Sequence, residues 1–189
     1  MKKNTTLFTL IFVFLIFNSS FAQYVLEEDF ESGIFPPNGW NNPGNGLLWN
    51  LGFASAYGAG NYCAFYDFYS CGKQNDSLVS PSFDPIGTND TLFFDHAYAP
   101  YESNGRLFYD FLDIYTSTDG GDTYLKFLHI NCRDLTTAPG TGFYYSPNFD
   151  EWATYSVVLP EGINRIKFVA FNNCSNNLYL DNIKITNTG

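Results

Sequence analysis

Asn177-Leu-Tyr-Leu-Asp-Asn-Ile-Lys-Ile-Thr186 decides the architecture. Read as a strand, its side chains alternate between two faces, which predicts Asp181 on the same face as Tyr179, Ile183 and Ile185. A bare carboxylate on an apolar face costs several kcal/mol, so it must be hydrogen-bonded, protonated or bound to a cation. Glu27-Glu28-Asp29-Phe30-Glu31, near the other end of the chain, concentrates acid in one short run. Together the two segments point to a metal-tied β-sandwich.

Working outward, residues 23–189 lack helical periodicity and consist of short β-rich runs punctuated by Gly, Pro, Asn and Asp. Strands are predicted at Tyr24–Phe30, Leu48–Phe53, Tyr62–Asp67, Ser77–Ser82, Thr91–Tyr98, Leu107–Thr116, Tyr124–Ile130, Trp152–Leu159, Arg165–Asn172 and Leu178–Thr186. Alternation is clear in Arg165–Asn172, where Ile166, Phe168 and Ala170 share a face. Many short strands without helices predict an all-β, two-sheet antiparallel sandwich forming a single domain. Gly33–Leu47, Pro100–Arg106 and Arg133–Glu151 read as ordered surface loops, where binding groups are placed.

Residues 1–22 read as a secretion signal: Lys2 and Lys3, an apolar core from Leu7 to Phe17, and Ser20-Phe21-Ala22 at the cleavage site. That core is too short to favour a span, which needs about 20 residues, and the mature chain is expected to be soluble and extracellular or at the cell surface. Removing the signal takes two lysines and no acids, so 9 basic and 19 acidic residues become 7 and 19, a net charge near −12. Such a surface argues against nucleic acid and anionic lipid as partners. All four cysteines (Cys63, Cys71, Cys132, Cys174) are exported, and an even count there favours disulfides. Three pairings exist; Cys63–Cys71 with Cys132–Cys174 is the favoured one.

Asp29-Phe-Glu-Ser-Gly-Ile-Phe-Pro-Pro-Asn-Gly-Trp40 resembles the opening "DFE-G-FPP-GW" of secreted modules of Bacteroidetes-type bacteria, the MAM-like, cleaved-adhesin and choice-of-anchor J domains. The likeness continues in order through Asp76–Pro81, Leu92–Ala99, Asp113–Gly121, Leu135–Pro139 and Glu151-Trp152, and closes with Asn177–Ile183. It implies a jelly-roll sandwich similar to carbohydrate-binding modules, often with a structural Ca2+. In such jelly rolls the Glu of the opening motif meets the Asp of the closing strand, which are Glu31 and Asp181 here. Oxygens near Asp29 and the Asp67 carboxylate would complete a shell of the six to eight oxygens that calcium takes.

Ser117-Thr-Asp-Gly-Gly-Asp-Thr-Tyr124 matches an Asp-box, read here as a hairpin in which Asp119 bonds back to the turn. Aromatics make up 20% of the chain; most are expected in the core, and several have loop-like neighbours. An amphipathic ring beside Asn and Asp suits an extracellular glycan or a surface protein. Trp49, Tyr57, Tyr66, Tyr101 and Tyr144 are the leading ligand-binding candidates, with Tyr69 and Tyr145 in similar contexts. Catalytic motifs of the metalloprotease, hydrolase and phosphate-loop kinds are absent, and Asp95 and His96 point to opposite faces. The expectation is a non-catalytic binding or adhesion module. A purely structural or protein-interaction domain, adhesin-like or accessory to a secreted protease, is the alternative, and a divergent glycoside hydrolase comes third.

Overall fold

The computed structural model describes residues 23–44, 49–71 and 75–187; the leader read at residues 1–22 lies outside them. In chain order the first six strands are β1 (Gln23–Glu28), β2 (Trp49–Gly52), β3 (Cys63–Tyr66), β4 (Asn75–Val79), β5 (Thr91–Tyr98) and β6 (Tyr101–Ser103). They are followed by β7 (Arg106–Phe108), β8 (Phe111–Ser117), β9 (Leu125–Ile130), β10 (Ala153–Val158), β11 (Arg165–Phe171) and β12 (Leu178–Asn187). Among the described residues helix is confined to a 3-10 turn at Ala56–Gly58 and one turn, α1, at Cys132–Leu135. Among the described residues no helix is long and apolar enough to cross a membrane.

Among the described residues these strands pair with one another antiparallel throughout, and an isolated parallel bridge joins Tyr101 to Thr141. One sheet runs β10-β5-β12-β3-β2, with β1 also on β12; the other runs β4-β11-β8-β9; β6 and β7 form a separate hairpin. The architecture is the two-sheet antiparallel sandwich that the strand pattern predicts, in the jelly-roll form that the resemblance implies. β12 is central because three strands share it. β5 lies along one edge; the other carries β3 from Leu178 to Leu180 and β1 from Ile183 to Asn187. The end of the chain is thereby held by its beginning.

The core forms where the inner faces meet. Leu178, Leu180, Ile183 and Ile185 of β12 join Leu92 and Phe94 of β5, Leu112 and Ile114 of β8, and Ile166, Phe168 and Ala170 of β11. These strands alternate because their branched and aromatic residues fit a pleated, half-buried surface. Burying each such side chain stabilises the fold by about 1.5–3 kcal/mol. Truncating Phe168, which is fully buried with its ring edge-on to Phe94 at 5.5 Å, to Ala would cost about 3–5 kcal/mol.

Three expectations are corrected. Strict alternation along β12 put Asp181 with Ile183 and Ile185. A bulge between Asp181 and Lys184, with Asn182 at φ 47°, shifts the register, so both isoleucines face the core. Tyr179 packs instead in a second cluster with Ala97, Ala138, Tyr145 and Trp152, and Asp181 bonds to Ala56 of that cluster. The cysteines also pair differently: Cys71 joins Cys174, while Cys63 and Cys132 are free. Cys63 is fully buried on β3, whereas Cys71 has left that strand and meets the turn preceding β12. Finally, the strand predicted at Leu107–Thr116 is broken between β7 and β8. There Asp110, buried and about 1% exposed, accepts hydrogen bonds from the Asn173 and Ser175 amides instead of continuing a ladder.

Candidate functional site

Two features of the six-stranded sheet carry chemistry: a carboxylate junction at the bulge of β12 and an aromatic groove beside its β2–β3 edge. The junction arises because β12 changes partner there, from β3 at Leu180 to β1 at Ile183. Asp181 is 3% exposed, and its Oδ2 accepts the Ala56 amide at 2.8 Å while Oδ1 accepts the Asn182 amide at 2.7 Å. Glu31 Oε1 accepts the amides of Asn61 at 2.7 Å and Tyr62 at 2.8 Å, clamping the segment that leads into β3. Gly60 has to be glycine for this clamp, since a Cβ there would lie 2.3 Å from Glu31 Oε1.

Burial pushes Asp181 up to about 6, against backbone hydrogen bonds that pull it down, and the Asp95 and Glu31 carboxylates add to the rise. Glu31 ends below the ordinary range: its slight burial raises it, and the Asn61 and Tyr62 hydrogen bonds outweigh that. The two carboxylates therefore face one junction without an ion-pair partner of opposite charge among the described residues. Their lone pairs are only partly used by the amides, and hard oxygen donors of this kind suit a hard cation. No three His, Cys, Asp or Glu side chains converge among the described residues, so further oxygens would have to come from carbonyls and water. Asp29 accepts the Glu31 amide and shapes the turn. Asp67 is not brought to this group; it follows β3 at the opposite end and holds the Ser70 amide in a turn.

The groove is a run of rings across two adjoining cavities. The first, about 330 Å³, is lined by β2 residues with Phe53, Phe65, Tyr144 and Tyr179. The second, about 400 Å³, is lined by Tyr69, Tyr101, Phe108, the Cys71–Cys174 disulfide and Ser175. Ring centroids follow one another from Tyr179 to Phe65 at 5.2 Å, Tyr144 at 6.3 Å, Tyr69 at 5.5 Å, Tyr101 at 5.9 Å and Phe108 at 5.9 Å. Tyr144 is 51% exposed and Tyr69 39%, so the middle of the run meets solvent.

Of the aromatic candidates, Tyr101 and Tyr144 line this groove. Trp49 and Tyr66 do not: both are fully buried, packed edge-on at 5.1 Å, with the indole N–H donating to the Asp76 carbonyl. They are corrected to core residues. Tyr57 is exposed, lines neither cavity, and shares a hydrogen bond with the Thr154 hydroxyl. Sequence reasoning missed Phe65, Phe108 and Tyr179, because strand alternation cannot say which outward face a loop will leave open. It also missed the His129–Asp113 pair at 2.6 Å, formed by neighbouring strands β9 and β8. Asp119 holds the predicted turn, accepting from Ser117, Thr123 and its amide, and these bonds keep its carboxyl well below the usual range.

No family model matches the sequence, and no curated protein matches it. Among solved structures, the K3 cleaved adhesin domain of Lys-gingipain from Porphyromonas gingivalis is similar over 88% of this chain and 99% of its own, with a TM-score of 0.60 and 23% identity. The K1 cleaved adhesin domain of the same protein is similar over 87% and 98%, with a TM-score of 0.60 and 22% identity. A xylan-binding domain of carbohydrate-binding module family 22 is similar over 88% and 96%, with a TM-score of 0.50 and 13% identity. The chain thus has the fold of the cleaved adhesin domains, a β-sandwich also seen in carbohydrate-binding modules.

Proposed function

We propose that this chain is a secreted, non-catalytic binding module that holds an extracellular glycan along its aromatic groove. The observation that carries the reading is the unbroken run of rings from Phe65 through Tyr144 and Tyr69 to Tyr101, half-exposed at its middle. Flat rings pack against the C–H faces of sugars, and a polar neighbour such as Ser146 at the first cavity suits their hydroxyls. Sharing a fold with a xylan-binding domain supports the class of function. In this reading the leader at residues 1–22 directs export.

Calcium at the carboxylate junction belongs to the same proposal. Glu31 and Asp181 would supply the side-chain oxygens, with carbonyls near Asp29 and water completing the shell. The ion would supply only structural charge neutralisation, holding the 55–62 segment against β12. The test of the groove is affinity electrophoresis against soluble xylans, mannans and glucans. Wild type is expected to be retarded by at least one of them and Tyr144→Ala to migrate freely with an unchanged melting temperature. Retardation by none of them, or equal retardation of the variant, would remove the glycan reading.

A second reading, a protein-binding adhesive surface, is favoured by Phe53, Phe143 and Phe149, which are 84%, 81% and 70% exposed. Capture of a surface protein by wild type but not by Phe53→Ser, with no polysaccharide bound, would establish it instead.

A further inference from the structure

We propose that the inner cavity at the disulfide end of the groove is an aromatic box for a quaternary or fully alkylated ammonium group, the choline headgroup being its simplest form. The proposal goes beyond the glycan reading and stands whether or not a sugar chain occupies the outer cavity. Its walls are Tyr69, Tyr101 and Phe108, and its floor is the Cys71–Cys174 disulfide with Ser175. Tyr69 stands at 73° to Tyr101, and Tyr101 at 54° to Phe108, each pair 5.9 Å apart, so the rings pack as adjoining, mutually turned walls of the cavity instead of stacking flat. Such rings present negative faces to a cation, and the attraction grows where water is displaced.

The floor offers no hydrogen bond to a ligand. The Ser175 hydroxyl already donates to the Phe108 carbonyl, accepts the Tyr101 amide and pairs with the Tyr98 hydroxyl. With one donor and two acceptor positions, its capacity is filled. A hydroxyl or an anion reaching the floor would find no replacement there for its water bonds and would depend on the Tyr69 and Tyr101 hydroxyls at the walls, whereas a tetraalkylammonium has no such bonds to lose. No Lys, Arg or His is among the described lining residues.

The charge behind the box is negative. Asp110, buried and without a cationic partner among the described residues, holds the amides on either side of Cys174. Asp67 holds the turn that carries Tyr69. Among the described residues, the cation at the margin is Arg106, whose guanidinium lies 5.7 Å from the Phe108 centroid and already occupies part of that ring's surroundings.

The experiment is titration of the folded, oxidised chain with choline chloride at pH 8, above the value of about 7 to which burial pushes Asp110. Binding is read from the shift of the trimethyl proton signal. Saturable binding with a Kd of about 1 mM is expected, with an upfield shift from the surrounding rings. The neutral isostere 3,3-dimethylbutan-1-ol should bind at least tenfold more weakly. Tyr101→Leu and, separately, Phe108→Leu should each weaken choline at least tenfold, while Arg106→Gln should strengthen it by removing the competing charge. Phosphatidylcholine vesicles form a further arm: co-sedimentation marks a membrane-borne source, and its absence alongside choline binding marks a soluble one. Equal binding of choline and its neutral isostere, or no saturable choline binding by the folded chain, would overturn the proposal.

Discussion

Asp181 is held by two amides and crowded by two other carboxylates, and those demands oppose each other. Burial lifts it to about 6, so the folded chain keeps its proton where an unfolded chain, titrating near 3.8, has lost it. A raised carboxyl contributes stability at low pH that disappears as pH rises through the folded value. In chelator, the melting temperature is therefore expected to gain from this group as pH falls from about 6 towards 4, and Asp181→Asn should flatten that slope. Calcium would act in the opposite sense, favouring the ionised form. At pH 7.5, a concentration about 100 times its Kd stabilises by about 2.7 kcal/mol, which raises melting of a domain this size by about 5–10 °C. Neither Asp181→Asn nor Glu31→Gln should show that rise. Identical wild-type melting in calcium and in chelator would remove the ion from the account.

The disulfide belongs to the scale of elements, because it ties the segment after β3 to the turn before β12. Cys71 and Cys174 are 103 residues apart in sequence, and closing a loop of about that length stabilises by about 4.7 kcal/mol in the chain-entropy picture. Cys71→Ser with Cys174→Ser is expected to lose about 3–5 kcal/mol in urea unfolding, and to loosen the ring box whose floor the bond forms. Thiol titration of the denatured, unreduced protein should find two thiols, those of Cys63 and Cys132. Finding none would restore the pairing of Cys63 with Cys71 and Cys132 with Cys174.

Across the whole molecule, closure depends on the first strand reaching the last. β1 supplies the partner for Ile183 to Asn187 on the central strand, and Leu26 and the fully buried Phe30 enter the core from it and the turn that follows. Truncating one buried Leu or Phe costs about 2–5 kcal/mol, a large part of the 5–15 kcal/mol that holds a typical domain together. Deleting Gln23–Phe30 is expected to abolish the cooperative thermal transition followed by near-UV circular dichroism. A truncated chain melting within 5 °C of the full one would show that β1 is an accessory strand.

Alternation by itself determined that this chain folds as an antiparallel sandwich, because a period of two is written residue by residue in strands such as Arg165–Phe171. The opening acidic run and the closing Asp each stood out against the local pattern, and it was the family resemblance that set Glu31 beside Asp181. Only the tertiary structure decided which side of β12 that Asp occupies, since one bulged residue, Asn182, reverses every face after it. It also decided the cysteine pairing, which depends on which chain segments end side by side and not on their spacing. The groove belongs with these. Trp49 and Tyr144 are both aromatic residues beside Asn or Gly-rich sequence, but one is sealed between sheets and the other left at a cavity mouth. Exposure is a property of how loops cover a finished sheet, and no local pattern encodes it.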